Sequence, residues 1–228
     1  MPNLTPAEAI EIQHRLQAQI TLEPRLTHIN YIAGADVSLN RFSNTAYAGF
    51  IVLSYPQLKP VAHALAVAEI NFPYIPGLLS FREIPVLKKA WELLPRRPDL
   101  VVLDGQGIAH PRRLGLASHF GLEFDIPTIG NAKNLLYGTF SIPAVTAGSS
   151  TAILDPKTGS ELGFAVRTQT NRKPIIVSPG YAVSLEQAKA ITLSCVRMYR
   201  IPEPTRLAHN LVNDFRTGTI TETVKIYE

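Results

Sequence analysis

A short aliphatic run that ends in an acid constrains the fold of this chain more than any other feature. Leu100–Leu103 reads Leu-Val-Val-Leu, and Asp104 follows it directly, before a glycine-rich turn at residues 105–107. An unbroken aliphatic run bounded by glycine predicts a strand buried on both faces, as in sheets covered by helices. The carboxyl end of such a strand faces the crevice where open α/β sheets bind ligands. Asp104 is therefore either a functional acid that meets a cation or a structural aspartate that caps the loop, and this strand alone does not decide between them.

The composition is that of an ordinary globular protein. Of 228 residues, 46% are hydrophobic and 18% are charged, so we predict a single domain spanning residues 1–228 with a sizeable core. The net charge of +4 weakly favours an anionic partner such as a phosphate. Cys195 is the single cysteine, which excludes an internal disulfide and suits a reducing compartment. With no signal sequence and no apolar stretch near the ~20 residues of a membrane helix, we expect a soluble, cytoplasmic monomer without membrane contact.

The order of apolar runs predicts the fold class. Turn-forming residues separate three runs, at residues 31–39, 46–53 and 61–70, and this predicts a three-stranded antiparallel meander. Helices and strands alternate afterwards. A helix at 78–94, bent or started at Pro85, is followed by the strand Leu100–Leu103, a helix near 114–124, a strand at 128–129 and a hairpin of 152–154 with 161–166. The last predicted elements are a strand at 175–177 ended by 178–180, a helix from Ser184 with Leu185, Ala188, Cys195 and Tyr199 on one face, and a short helix at 204–212. We therefore predict an α/β fold, a mixed sheet of three antiparallel strands followed by alternating helices and strands, with helices on both sides.

Two further acids accompany Asp104 as candidates for chemistry. Asp36 lies within the first predicted strand, where strand alternation places it on one face with Gly34 and Ser38. Glu83 lies early in the following helix, where it could instead satisfy free amide groups at the helix start. Together the three acids supply the hard oxygen ligands that Mg²⁺ prefers. Such a cation would generate a nucleophile and stabilise the charge of a displacement at phosphorus.

Several separated motifs give the chain a specific resemblance. In chain order they are residues 34–38, 73–79 with 81–83, 103–107 with 110–112, Gly130 with 132–133, 178–180 and 200–206. Their order and combination, across nearly the whole chain, resemble the endonuclease V family, repair nucleases that act at deaminated adenine. The resemblance implies a ribonuclease H-like fold and implies that Asp36, Glu83 and Asp104 bind the metal, Mg²⁺ with Mn²⁺ as a substitute. It also implies that DNA containing deoxyinosine is cut at the second phosphodiester bond 3′ to the lesion.

The resemblance implies a wedge in the proline-rich loop. Its four residues, Pro73, Tyr74, Ile75 and Pro76, match the family segment that separates strands and helps to expose the lesion. Rigid prolines would present the tyrosine and the isoleucine to fill the gap left by a base, and extruding a damaged base costs least. The alternative is a surface turn that packs Tyr74 inward.

Cationic residues near the acids match further family positions. Lys133 matches a lysine near the scissile phosphate, where a fixed charge stabilises developing negative charge, although a solvated loop lysine is the alternative. His110 matches a histidine of the active-site rim that would contact phosphate or carry a proton, or be merely exposed. Arg112, with its neighbour Arg113, is a candidate phosphate contact. Arg82 would likewise contact phosphate, or it would pair with Glu83.

Tyr181 departs from the family pattern. After residues 178–180 the family usually has a histidine near the metal centre, and this chain has a tyrosine. Tyrosine cannot act as a neutral imidazole ligand, although its hydroxyl can hydrogen-bond a water at the metal. We therefore expect Tyr181 to be a tolerated replacement beside the substrate.

Three other functions stay open at this point. The same chemistry could act on inosine-containing RNA, which would need contacts to the 2′-hydroxyl. A catalytically weak, structure-specific nucleic-acid-binding protein could keep the wedge, although such a protein has no use for three acids. A small-molecule phosphohydrolase could use the acids but leaves the wedge unexplained.

Overall fold

A nine-stranded mixed sheet forms the centre of the computed structural model, which describes residues 4–40 and 43–227. The strands are β1 Tyr31–Leu39, β2 Thr45–Ser54, β3 Pro60–Glu69, β4 Leu100–Leu103, β5 Thr128–Ala132, β6 Ser150–Leu154, β7 Glu161–Val166, β8 Ile175–Tyr181 and β9 Val224–Ile226. The helices are α1 Pro6–Gln17, α2 Leu79–Leu93, α3 Leu116–Phe124, α4 Leu185–Ser194 and α5 Glu203–Thr217.

The strand order across the sheet is β6-β7-β8-β5-β4-β1-β2-β3-β9. Strands β1, β2 and β3 form the predicted antiparallel meander, and β4 and β5 add to β1 in parallel. The outer strands β8, β7 and β6 continue the sheet antiparallel to one another and to β5. Strands β1, β4 and β5 therefore end at the same end of the sheet, which we call the carboxyl rim. At this rim β7 also ends, and β6 and β8 begin.

Helices cover both faces of the sheet, and each face has its own apolar core. On one face α2 and α3 pack against the meander, with Trp91 and Phe120 around Phe50 at ring-centroid distances of 5.5 Å. On the other face α4 and α5 bury Ile191, Leu211 and their neighbours. Aromatic side chains of this size dominate the burial that stabilises a core. The predicted α/β fold, a mixed sheet of three antiparallel strands followed by alternating helices and strands with helices on both sides, is confirmed.

Proline and glycine account for one wrong boundary and for one alternative that the structure decides. Strand β8 does not end at residues 178–180, because it continues through Pro179 to Tyr181. A register shift opposite Thr128 and Ile129 lets the ladder pass the residue that has no N–H group. Pro85 lies inside α2 and does not start it.

Two other predictions differ at the C-terminal end of the chain, and one strand there was not predicted. Helix α4 ends at Ser194, so Tyr199 lies outside it and is exposed. Helix α5 continues to Thr217 where 204–212 was predicted, and its left-handed C-cap is Gly218. Strand β9 was not predicted, because three residues carry too little periodicity. Among the described helices, none has the length and apolar character needed to cross a bilayer.

Candidate active site

The structure brings Asp36, Glu83 and Asp104 into one cleft at the carboxyl rim. Because β1 and β4 are parallel neighbours with Ala35 opposite Leu103, the next residue on each strand is an acid. Glu83 reaches the same cleft from the second turn of α2. Strand register therefore joins two of these acids, and helix packing adds the third.

Helix α5 lies across the same face of β1 that carries Asp36. The close approach requires glycine, because a Cβ at Gly34 would lie 1.8 Å from the carbonyl oxygen of Pro204. Two residues further along β1, His209 Nδ1 donates to Asp36 Oδ2 at 2.9 Å. Asn213 Nδ2 donates to the other ring nitrogen at 3.1 Å, which places the imidazole proton on Nδ1.

Crowding of the acids perturbs their ionisation. Burial, followed by the charge of Asp104, raises the pKa of Asp36 to about 6. Burial, followed by the charges of Asp36 and Asp104, raises the pKa of Glu83 to about 8. Buried like charges disfavour ionisation of one another unless a cation compensates them. Perturbation of this kind is typical of functional sites.

A lysine and a histidine meet the cluster from outside. Lys133 follows β5, the next strand along the rim, and its Nζ donates to Asp104 Oδ2 at 2.7 Å. His209 is half exposed beside Asp36, which is almost enclosed. One ligand atom from each of Asp36, Asp104 and His209 lies within 4.8 Å of the others. Asp36 and Asp104 offer carboxylate oxygens that fit a divalent cation, and His209, whose Nδ1–H is bonded to Asp36, stands beside them as an orienting group.

Comparison with known proteins decides the family. The family model described as Endonuclease V matches residues 14–210. The chain belongs to the endonuclease V family. This confirms both the predicted resemblance and the prediction that the chain is a nuclease.

Individual endonuclease V proteins match over almost their whole length. The Myxococcus xanthus protein is 48% identical over 215 residues, which cover 94% of this chain and 91% of that protein. The crystal structure of endonuclease V from Streptomyces avermitilis is similar at a TM-score of 0.88 and 40% identity, covering 96% of each chain. The Ciona intestinalis endonuclease V, solved in complex with a 24mer DNA containing an inosine followed by a ribo-adenosine, gives a TM-score of 0.81 at 28% identity, covering 94% of this chain and 98% of that one.

The sequence interpretation missed His209 in this endonuclease V chain. The quoted motif of residues 200–206 ends three residues before it, and the predicted short helix gave it no special place. The available signal was a histidine on the helix that follows this motif, beside the buried Ala208 and Leu211. A single sequence does not show which strand that helix crosses.

The proline-rich loop of this endonuclease V chain presents its tyrosine to solvent. The Tyr74 side chain is 69% exposed, so the alternative in which it packs inward is wrong. Pro73 and Pro76 beside it are also exposed, while Ile75 is partly buried against an apolar cluster that includes Phe72. The loop therefore rests on one apolar side chain and projects an aromatic ring.

Three polar side chains fix the far end of this loop at Gly77, whose φ of +79° favours glycine. His110 Nε2 donates to the Gly77 carbonyl at 3.0 Å, Arg112 Nη2 at 2.8 Å and Gln13 Nε2 at 2.9 Å. At the near end, Arg82 Nη1 donates to the Phe72 carbonyl at 2.7 Å. Both ends of the loop are thus tied to the protein by side chains.

These contacts correct the predicted roles of His110 and Arg112. His110 is buried, and burial followed by the charge of Arg112 lowers its pKa to about 4, so it is a neutral internal residue and not part of an exposed rim. Arg112, which is partly buried, also donates to the Gln13 side chain, so its guanidinium is engaged by protein acceptors. Arg113 pairs with Asp155 on the β6–β7 turn. None of the three is placed as a free phosphate contact, because each already satisfies protein acceptors.

Arg82 likewise does not pair with Glu83. Its guanidinium is directed to the Phe72 carbonyl, and no ion pair joins these neighbours among the described residues. Successive helical residues point about 100° apart, so Glu83 can face the cleft while Arg82 faces the loop.

The interpretation of Tyr181 as a neighbour of the metal centre is wrong. Tyr181 pairs with Thr128, the first residue of β5, so it lies at the end of the sheet opposite the carboxyl rim. Its hydroxyl donates to Asp125 at 3.1 Å, and Arg25 stacks over its ring. The histidine beside the acids comes from α5 and is His209. Motif position alone did not reveal which end of β8 the residue occupies.

Proposed function

We propose that this chain is a Mg²⁺-dependent endonuclease that cuts DNA at the second phosphodiester bond 3′ to deoxyinosine. The observation that carries the proposal is the clustering of Asp36, Asp104 and His209, with Glu83 behind them, in a cleft of an endonuclease V chain. When bound, a divalent cation supplies Lewis-acid stabilisation of the charge that develops on the phosphate. Mn²⁺ accepts the same oxygen and nitrogen donors and is expected to substitute.

The protein groups divide the remaining work. Asp36 and Asp104 would hold the cation, and the Nδ1–H bond from His209 orients Asp36. Glu83 keeps its proton near neutral pH until a cation compensates the cluster, because burial raises its pKa to about 8. Lys133 stands beside Asp104 with its ammonium half exposed, where a phosphate oxygen can exchange with the carboxylate as its partner.

The projecting loop supplies lesion selection in this proposal. Tyr74 is held outward on a loop tied at Phe72 and Gly77, so its ring is available to occupy the space of an extruded base. Extrusion costs least for a damaged or mismatched base, which favours deoxyinosine over normal pairs. His110, Arg112 and Arg82 serve here by fixing the loop.

Inosine-containing RNA is the second candidate substrate. The relative from Ciona intestinalis was solved with a DNA whose inosine is followed by a ribo-adenosine, so a ribonucleotide fits beside the lesion in that protein. We also infer a cytoplasmic location, because the single cysteine, Cys195, is buried and unpaired, as suits a reducing compartment.

The deciding experiment incubates the protein and Mg²⁺ with matched DNA and RNA strands that carry one inosine, and maps the cut. The controls are the same strands with adenine and the Asp104→Asn protein. We expect a cut one nucleotide beyond the inosine on its 3′ side in DNA, absent without metal. Cleavage of RNA alone would replace deoxyinosine by inosine as substrate, and equal cleavage of the adenine strands would reject lesion specificity.

A further inference from the structure

Three loops meet at the carboxyl rim, on the side of Lys133 away from the acids; the first of them begins and ends at the rim but passes beside Leu154, at the opposite end of the sheet, where Thr139 pairs with that residue. Residues 133–149 lead from β5 to β6, residues 167–174 lead from β7 to β8, and residues 195–202 lead from α4 to α5. The first two reach this rim because β5 and β7 end there and β6 and β8 begin there. The surface they form therefore continues the line of the active-site cleft.

Hydrogen bonds join the third loop to the second. Thr168 Oγ1 donates to the carbonyl of Arg200 at 2.6 Å, and Arg200 Nε donates to the carbonyl of Lys173 at 2.9 Å. The Gln169 side chain donates to the carbonyl of Met198. The two loops thus form one connected surface.

A buried cation joins the first loop to the second. Arg167 donates to the carbonyls of Pro143 at 2.7 Å and Ala144 at 2.6 Å, and only 6% of its surface is exposed. The backbone of Asn171 donates to the Val145 carbonyl at 2.9 Å. An arginine buried against carbonyls fixes the loop strongly, because losing an acceptor would leave a desolvated charge.

The charge of this surface has one sign. None of the three loops contains an aspartate or a glutamate, and together they carry six cations, of which Arg197 turns away from the rim to the Pro56 carbonyl on the β2–β3 turn: Lys133, Arg167, Arg172, Lys173, Arg197 and Arg200. Arg172 and Lys173 are exposed, and neither joins an ion pair among the described residues. Cations without acidic partners on a fixed surface favour a polyanion.

Exposed apolar side chains stand among these cations. The exposed fractions are 81% for Ile142, 60% for Val145 and 82% for Met198. Exposed apolar side chains grouped on one fixed surface favour a partner that covers them. Nucleic acid offers both chemistries, since its phosphates meet cations and its sugars and base faces meet apolar groups.

We propose that Arg172 and Lys173, with Ile142 and Met198, bind the part of the nucleic-acid substrate that flanks the cut, and we call these four residues the rim track. The proposal rests on the proposed nuclease function and adds a footprint beyond the active site. The track crosses two strand spacings, from β8 to β6, or about 10 Å, which matches the rise of roughly three nucleotides of one strand. A flank shorter than this length leaves part of the track unused.

The test compares the double variant Arg172→Glu, Lys173→Glu with a matched control, Lys157→Glu. Lys157 is an exposed lysine on the β6–β7 turn, at the other end of the sheet. Binding to an inosine-containing duplex is measured in Ca²⁺ over a range of NaCl concentrations, with flanks of decreasing length on either side. For the double variant we expect about a tenfold or greater loss of affinity for the long duplex and a salt slope lower by about 2, one per lost phosphate contact.

Two further results are expected from the same samples. Trimming the flank that occupies the track should lower the affinity of the wild-type protein to that of the double variant. The affinity of the double variant should not fall further. At saturating protein in Mg²⁺, the single-turnover rate of the double variant should equal that of the wild type. The control should match the wild type throughout.

Several outcomes would overturn the rim track. The first is that the affinity and salt slope of the double variant equal those of the control. The second is that the double variant loses the same affinity at every flank length. The third is that its single-turnover rate at saturating protein is lower than that of the wild type. Normal nucleic-acid binding by the double variant would assign the surface to another kind of partner. Failure of the proposed nuclease function can be distinguished from failure of the rim track. It would appear as an absence of cleavage by the wild-type protein, and the dependence of binding on flank length can be measured in either case.

Discussion

His209 on α5 donates through Nδ1 to the Oδ2 atom of Asp36 on β1 at 2.9 Å, and this contact joins the last long helix to the first strand at the acid cluster. The contact depends on Gly34, which lets α5 approach β1 at the carbonyl of Pro204. One turn of helix beyond His209, Asn213 accepts from Ser38 at 3.0 Å and donates to the imidazole. The helix therefore sets the orientation of an acid that lies far from it in sequence.

We expect His209→Ala to slow single-turnover cleavage by about 10- to 100-fold, the usual effect of removing a group that orients a metal-binding acid. Binding to the lesion in Ca²⁺ should change little, because the phosphates and base are held by other groups. His14→Ala, an exposed histidine on α1, is the control. A rate equal to that of this control would show that the contact with Asp36 has no part in the reaction.

Glu83 provides a prediction about pH and stability. Its pKa is about 8 in the folded protein without metal and near 4.5 unfolded, so the folded state holds the extra proton between these values. The stabilisation that comes from holding this proton on Glu83 is fully present below pH 4.5, and it is lost as the pH rises through 8. Glu83→Gln should therefore make the metal-free protein more stable than the wild type at pH 8 to 9, while cleavage in Mg²⁺ falls sharply. Thermal unfolding in chelator across pH measures the first effect, and an unchanged wild-type pH dependence in the variant would contradict it.

Tyr74→Ala should reduce discrimination between inosine and normal duplexes more than it reduces general affinity. The ring stabilises the distorted complex, whereas sequence-independent affinity comes mainly from cations. Tyr74→Phe, which keeps the ring, is the control and should retain discrimination. Parallel binding titrations with lesion and undamaged duplexes measure both, and an equal loss on the two would mean that Tyr74 is a plain contact.

Tyr181→Phe should leave the single-turnover rate at the wild-type level and change the free energy of unfolding by less than about 0.5 kcal/mol, because only an exposed bond to Asp125 is lost. Tyr181→His should give no gain in rate, since residue 181 lies at the opposite end of the sheet from Asp36. The pH profile of cleavage in Mg²⁺ and Mn²⁺ measures both. A variant as inactive as Asp104→Asn would mean that the tyrosine takes part after all.

Sequence patterns predicted the strands of the sheet well where an apolar run is long or is bounded by turn-forming residues. The meander and Leu100–Leu103 follow directly from such runs, and their register then places Asp36 beside Asp104. Contacts between distant segments could not be predicted in this way. The crossing of α5 over β1, which introduces His209, depends on packing that no local pattern encodes.

The same limit explains the errors at His110, Arg112 and Tyr181. Motif positions identified these residues but gave neither the direction of the side chain nor its partners. His110 and Arg112 turn to the Gly77 carbonyl, whose position is set by a loop more than 30 residues earlier. The end of β8 that carries Tyr181 is fixed by antiparallel pairing with β5.

The most direct measurement of the central claim is cleavage and binding by Asp36→Asn and Asp104→Asn on the same inosine-containing duplex. Each variant keeps the size of the side chain but removes an ionised ligand, so we expect single-turnover cleavage in Mg²⁺ to fall by at least about 10³-fold. Lesion binding in Ca²⁺ should stay within a few-fold of the wild type, because cations and the projecting loop provide it. Cleavage at a near wild-type rate by either variant would contradict the assignment of these acids to the metal.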